Sequence, residues 1–163
     1  MNEARLTGEL VEISAARGER GAGAARAATA IRNFGGYRWV GIYDVGADEI
    51  SLVGFDGPGA PTHPRFPRTD GLCGAAVANR QTVIVADVTS DVRYLTTHPT
   101  TRSEIVVPVF VAGTPVGLID VESERPQAFG ERDQQLLERC AALISPLWGL
   151  SHRDAHDVGE EAS

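Results

Sequence analysis

Three carboxylates, Glu104, Asp120 and Glu122, fall within the stretch Thr101–Ser123. That stretch reads as two strands joined by a tight turn at Ala112-Gly113. Residues i and i+2 share one face of a strand, so Asp120 and Glu122 stand in line with Val116 and Leu118. A carboxylate in an apolar line is costly unless a cation or hydrogen-bond donors meet it. Two on one face, with a third on the partner strand, point to a pocket for a cationic group or a metal ion. A carboxylate pair at a solvated strand end would have the same spacing. The position of Glu104 is conditional. Across a regular two-residue turn it falls opposite Val121, on the wrong face. A bulge, which Pro108 favours, or a loop position would bring it to the pocket.

Two further features suit a small ligand. Trp39 and Tyr43 share a strand face with Gly41 between them, which leaves a slot for a flat or methyl-bearing group. Ordinary core packing would use the same aromatics. Gly71-Leu72-Cys73-Gly74 opens a helix, where free N–H groups and the positive helix end suit a ligand carboxylate. It could equally be a plain helix start. Beside an ammonium site at Glu104, Asp120 and Glu122, it describes a receptor for a free α-amino acid.

These residues need a frame to hold them. Leu6, Leu10 and Ile13 form one stripe of an N-terminal helix. A second helix follows the Gly/Ala-rich join Gly18–Gly23 and stops at Asn33-Phe34-Gly35-Gly36. Tyr37–Val45 and Glu49–Phe55 read as strands around Gly46-Ala47-Asp48. A loop with four prolines runs from Gly57 to Arg68. A short helix over Asp70–Arg80, a strand over Thr82–Val88 and a loop over Asp91–Thr101 lead into the hairpin. A long helix spans Gly130–Leu150, with Leu136, Cys140, Leu143 and Leu147 as its apolar seam, widened by Leu137, Ile144 and Trp148. Pro146 should kink it. Antiparallel strands flanked by helices at both ends make the class α+β.

Trp39-Val40-Gly41-Ile42-Tyr43, Asp70–Ala76, Ser103–Val109 and Gly117–Ser123 follow one another in the order found in GAF domains. The chain resembles that superfamily from about Ala30 to Leu147, and more narrowly its free methionine-(R)-sulfoxide reductase branch. The resemblance implies that Trp39 and Tyr43 line a sulfoxide pocket. It also places the family's attacking cysteine at Thr97 and one resolving cysteine at His63; Cys73 alone matches, and is the candidate catalytic residue. Sulfoxide reduction needs a thiolate to attack sulfur and a second thiol to resolve the sulfenic acid. Thr97 can do neither, so the pocket is expected without the reductase chemistry.

The ligand set implied is Trp39, Tyr43, Cys73, Gly74, Thr97, Glu104, Asp120 and Glu122. Because the family's cysteines exchange disulfides, the resemblance also draws His63, Cys73 and Thr97-His98 together. Two imidazoles, a thiolate and a carboxylate would suit a divalent transition metal such as zinc, iron or copper. The expected function is therefore binding of an amino-acid-like or cationic metabolite. The alternatives are a metal-dependent enzyme using His63, Cys73 and His98, and residual sulfoxide reduction by Cys73 with an external thiol.

Composition narrows the setting. The 163 residues allow one domain, taken as 1–150, with an acidic tail over 151–163 expected to be disordered. The tail carries His152 and His156, spaced as a helical metal pair. With 22 acidic and 15 basic residues the net charge is −7, which argues against nucleic acid as a partner. Every basic residue is Arg, so no lysine nucleophile exists. No apolar run approaches the ~18 residues of a membrane span. The start Asn2-Glu3-Ala4-Arg5 is polar, and a cytoplasmic protein is expected. Cys73 and Cys140 imply no disulfide framework. The terminal apolar stripes either pack on the sheet or, as the resemblance implies, join a second copy in a homodimer.

Overall fold

A computed structural model describes residues 2–149; the 151–163 tail with His152 and His156 lies outside them. The elements run α1 (Glu3–Ala15), α2 (Arg20–Gly35), β1 (Trp39–Val45), β2 (Glu49–Asp56), β3 (Arg65–Pro67), α3 (Gly71–Asn79), β4 (Val83–Val85), β5 (Ser103–Val111), β6 (Thr114–Ser123) and α4 (Glu131–Ile144). The six strands form one sheet in the order β3-β2-β1-β6-β5-β4, and every pairing is antiparallel. The class is α+β, as the sequence implies.

Local chemistry explains most boundaries. The Asn2 side chain accepts the N–H of Arg5 and caps α1. Gly36, at φ 66°, ends α2 in the left-handed conformation. Asp133 accepts the Gly130 N–H at 2.9 Å to start α4. The Ser145–Pro146 step interrupts that helix, as proline requires. β3 lies inside the proline-rich loop, where no alternation announces it. It is an edge strand, which tolerates Pro67. The strand predicted over Thr82–Val88 shortens to Val83–Val85, and a 3-10 turn takes Val88–Ser90.

The sheet has two different faces. One is covered by α1, α2 and α4, and there Leu6, Leu10, Ile13, Ile31, Val40, Ile42, Ile119, Val121 and Leu137 make the larger core. Residues of both terminal stripes pack into this core. The seam of α4 is rotated from its predicted centre: Leu137, Cys140 and Ile144 are buried, whereas Leu136 and Leu143 are half-buried against the same core. Asp44 ties this layer to the sheet, accepting from Arg20 at 2.8 Å and from Trp148 Nε1 at 2.7 Å. The Trp148 ring lies across Gly117, where a Cβ would meet it at 2.4 Å.

The opposite face carries α3 and the loops, over a smaller core that includes Trp39, Tyr43, Leu72, Cys73, Val106 and Leu118. Leu118 and Val116 part company here. Val116 packs with the helical core, because the ladder skips it: Val109 pairs with Gly117 and Phe110 with Pro115. This bulge moves Glu104 from its expected partner Val121 to Glu122. It falls opposite Val109–Phe110 rather than at Pro108, which pairs regularly with Leu118.

Because Leu137 is fully buried and Leu136 is not, Leu137→Ala should cost about 2–5 kcal/mol and Leu136→Ala clearly less. Urea denaturation midpoints of the two variants would show the order, and equal losses would contradict the helix rotation.

Candidate functional site

Three neighbouring strands bring the acidic residues together. Glu104 on β5 is directly opposite Glu122 on β6, and Glu122 is opposite Trp39 on β1. Asp120 lies one step along, between Val106 and Gly41. All three carboxylates are buried. Like charges directly opposite in a ladder repel, and no ion pair to an arginine is formed by them among the described residues. Glu104 Oε2, Asp120 Oδ1 and both oxygens of Glu122 lack a hydrogen-bond partner among the described residues.

Burial is the main force on their protonation, raising all three pKa values well above the ordinary carboxylate range. Mutual repulsion adds to it: Glu122 acts on Glu104, Glu104 on Asp120, and Asp120 on Glu122. Thr97 and Thr101 lie near enough to Glu122 to oppose the rise without closing a well-formed hydrogen bond.

Cys73 comes from α3. Gly71, at φ 73°, makes the left-handed entry to that helix, with Leu95 packed against it. Gly74 lets the helix sit tight on Thr69, whose carbonyl carbon would be 2.5 Å from a Cβ. The Cys73 thiol is buried, and burial followed by Asp120, Glu104 and Glu122 pushes its pKa well up. It is therefore a thiol, not a thiolate, at neutral pH.

Two loops close over this face. Trp39 Nε1 donates to the Gly59 carbonyl at 3.1 Å, and His98 Nε2 lies 3.4 Å from the same oxygen. Thr62 N–H donates to Thr97 at 2.8 Å. The His98 ring meets Trp39 edge-on, centroids 4.9 Å apart, with its Nδ1 3.9 Å from Glu122. Beneath these contacts lie two small cavities. One, of about 20 Å³, is lined by Tyr43, His63, Cys73, Thr97, Glu104 and Asp120. The other, of about 110 Å³, is lined by Trp39, His98, Thr101 and Glu122. A larger concavity, about 810 Å³, contains none of the three acids. Arginines line it, and they are engaged elsewhere: Arg68 with the Gly46 carbonyl, Arg80 with that of Gly113 and Arg93 with Asp91.

Measured against the sequence, the placement is mixed. Trp39, Tyr43, Cys73, Thr97, Glu104, Asp120 and Glu122 share one side of the sheet. Gly74 does not line the acidic cavities; its contribution is the close approach of α3. The slot expected at Gly41 is filled by the Trp39 ring, which a Cβ there would meet at 2.3 Å. The three metal donors proposed from sequence are not gathered. His63 is exposed at the rim of the small cavity, and His98 belongs to the other one. Among the described residues, the potential ligand atoms that do converge are those of Cys73, Glu104 and Asp120. The lacing of the two loops was missed, since its acceptors are backbone carbonyls with no side-chain signature.

The curled antiparallel sheet, with a helical layer on one face and loops over the other, defines the GAF architecture. The GAF domain profile matches residues 23–147, and the chain belongs to that family. GAF domain-containing protein A of Dictyostelium discoideum is 33% identical over 143 residues, covering 87% of this chain and 84% of that protein. Within the family, the chain is homologous to free methionine-R-sulfoxide reductases. That of Saccharomyces cerevisiae is 33% identical over 111 residues, 66% of this chain and 61%, under two thirds, of the yeast protein. The X-ray structure of the Neisseria meningitidis reductase in complex with its substrate superposes with a TM-score of 0.83 at 31% identity, covering 93% of this chain and 91% of that one.

The raised carboxyl pKa values fix the sign of a pH effect. Each group holds its proton in the folded chain above its unfolded value, near 4. The folded state then binds more protons, and the associated stability is complete below that value and lost as pH rises through the folded pKa. Asp87, held down to about 2 by Thr89 and then Arg102, acts in the opposite sense only at lower pH. The thermal midpoint should therefore rise as pH falls from 8 towards 5, and this slope should flatten in Asp120→Asn. A midpoint that falls over this window in the unmodified protein would contradict the buried acidic cluster.

Proposed function

We propose that this GAF domain binds a small cationic or amino-acid-like metabolite and does not run the thiol-dependent reductase reaction. The observation that carries the binding half is the set of buried carboxylate oxygens without partners, on Glu104, Asp120 and Glu122, beside the Trp39 and Tyr43 rings. An ammonium group would supply three donors to those acceptors and offset their repulsion. Trp39 and Tyr43 would cover the apolar part of the ligand. The yeast and Neisseria meningitidis relatives are reductases of free methionine-R-sulfoxide, an amino acid of this charge pattern.

The chemical half rests on thiols. Thr97 stands where the family resemblance puts the attacking cysteine. Cys73 is protonated and buried, a poor nucleophile. Cys140, pushed up to about 12 chiefly by burial, belongs to the helical core on the far face of the sheet and cannot resolve an intermediate on Cys73. Cavities of about 20 and 110 Å³ are too small for a whole amino acid, so binding requires the two loops to part.

Two measurements test this reading. Turnover of free methionine-(R)-sulfoxide with dithiothreitol or thioredoxin should stay at background, and Thr97→Cys should restore part of it; robust turnover by the unmodified protein would overturn the chemical half. Thermal shift against a panel of free amino acids should reveal a ligand, and Glu122→Gln should weaken it by ~1.5–3 kcal/mol. Without ligand, the same substitution should leave the midpoint unchanged or raise it, because it removes a buried acid whose ionisation burial and Asp120 oppose. A destabilised variant, combined with an unresponsive unmodified protein, would mark the carboxylates as purely structural.

A further inference from the structure

We propose that Cys73, Glu104 and Asp120 form a binding site for one divalent transition metal ion of the zinc type. One ligand atom from each lies within 4.8 Å of the other two. The residues are 6%, 3% and 1% exposed, respectively. Two polar atoms in this group, Glu104 Oε2 and Asp120 Oδ1, have no hydrogen-bond partner among the described residues, and both side chains line the cavity that Cys73 also lines. At about 20 Å³ that cavity accepts a single ion or water molecule and nothing larger.

The chemistry of the donors selects the ion. One sulfur and two carboxylates in a buried place favour a borderline metal over magnesium or calcium, which take oxygen alone. Metal binding would also turn the local electrostatics around. Two acids and a thiol, protonated while nothing cationic is near, become ligands of one dication, and the protons of Cys73, Glu104 and Asp120 leave to solvent as their bonds to the metal form. The fold has the positions to do this. α3 is seated by Gly71 and Gly74 so that its first turn brings Cys73 over the paired strands. Three protein donors leave a fourth position for water or a ligand atom. The imidazoles of His63 and His98 are not needed, so this site differs in composition from the one the sequence suggests.

This site goes beyond the metabolite reading and does not rest on it. The metal depends on Cys73, whereas the ammonium position also draws on Glu122, which lies outside the metal-ligand group. Untagged protein, stripped with a chelator and dialysed, should be titrated with cobalt(II) and followed by absorption. The expected result is one equivalent bound with a near-ultraviolet thiolate-to-cobalt band that zinc abolishes by displacement. Cys73→Ser should remove the band, and Glu104→Gln should weaken affinity by at least ~10-fold while keeping it. Glu122→Gln should keep the thiolate-to-cobalt band, because Glu122 lies outside the metal-ligand group. No band in the unmodified protein, or a band that survives Cys73→Ser, overturns the site. Should Cys73→Ser fail to fold, an unchanged cobalt affinity in Glu104→Gln overturns it as well.

Discussion

The burial of three neighbouring carboxyl groups is the constraint around which the rest of this domain is arranged. Two like charges 4 Å apart interact by about 4 kcal/mol even at an effective dielectric constant of 20, a sizeable share of what a domain of this size has in total. The chain meets that cost in two ways. It holds the acids as neutral carboxyls when nothing cationic is near, and it places them on the central strands of a sheet whose other face is tightly packed. Glu104 and Glu122 could not be kept opposite each other on an edge strand, where the ladder would simply part.

Consequently the two faces carry different duties. The helical side, from Leu6 to Trp148, supplies the apolar burial that keeps the sheet intact. The other side gives up part of that burial to polar groups, and its cover is two irregular loops laced by a few backbone hydrogen bonds. Local opening is drawn from the least-bonded parts of a structure. The loops over Trp39 and Glu122 fit that description, while β1, β5 and β6 do not. The cysteines follow the same division: Cys140 is a core atom of the stable layer, and Cys73 belongs to the layer that can change.

Much of this was legible in the sequence. Strand alternation put Asp120 and Glu122 on one face with Trp39 and Tyr43 within reach, and four ordered motifs gave the fold. Parity also carried more information than it first offers. An odd number of residues lies between Glu104 and Glu122, and a paired hairpin with a two-residue turn uses an even number, so one residue had to be left over. What parity could not say is which residue. Pro108 drew attention because it lacks an N–H, yet it pairs regularly, and Val116 is the one that turns to the helical side. Side-chain direction was equally beyond reach at Gly41, where the neighbouring Trp39 ring fills the space that a missing Cβ appears to offer in sequence. The two histidines misled for a related reason. His63 and His98 each precede a proline on an irregular loop, where no periodicity exists, so nothing in their spacing tells whether they point inward.

The two tryptophans of the chain stand on opposite sides of the sheet. Trp39 has an imidazole at its edge and its indole N–H tied to a loop carbonyl, whereas Trp148 is bonded to Asp44 inside the helical layer. The molecule thereby contains its own pair of optical probes. Emission from Trp39 follows the covering loops, and emission from Trp148 follows the integrity of the scaffold. With one indole replaced at a time, changes in the covering loops can be watched separately from unfolding, with no attached dye.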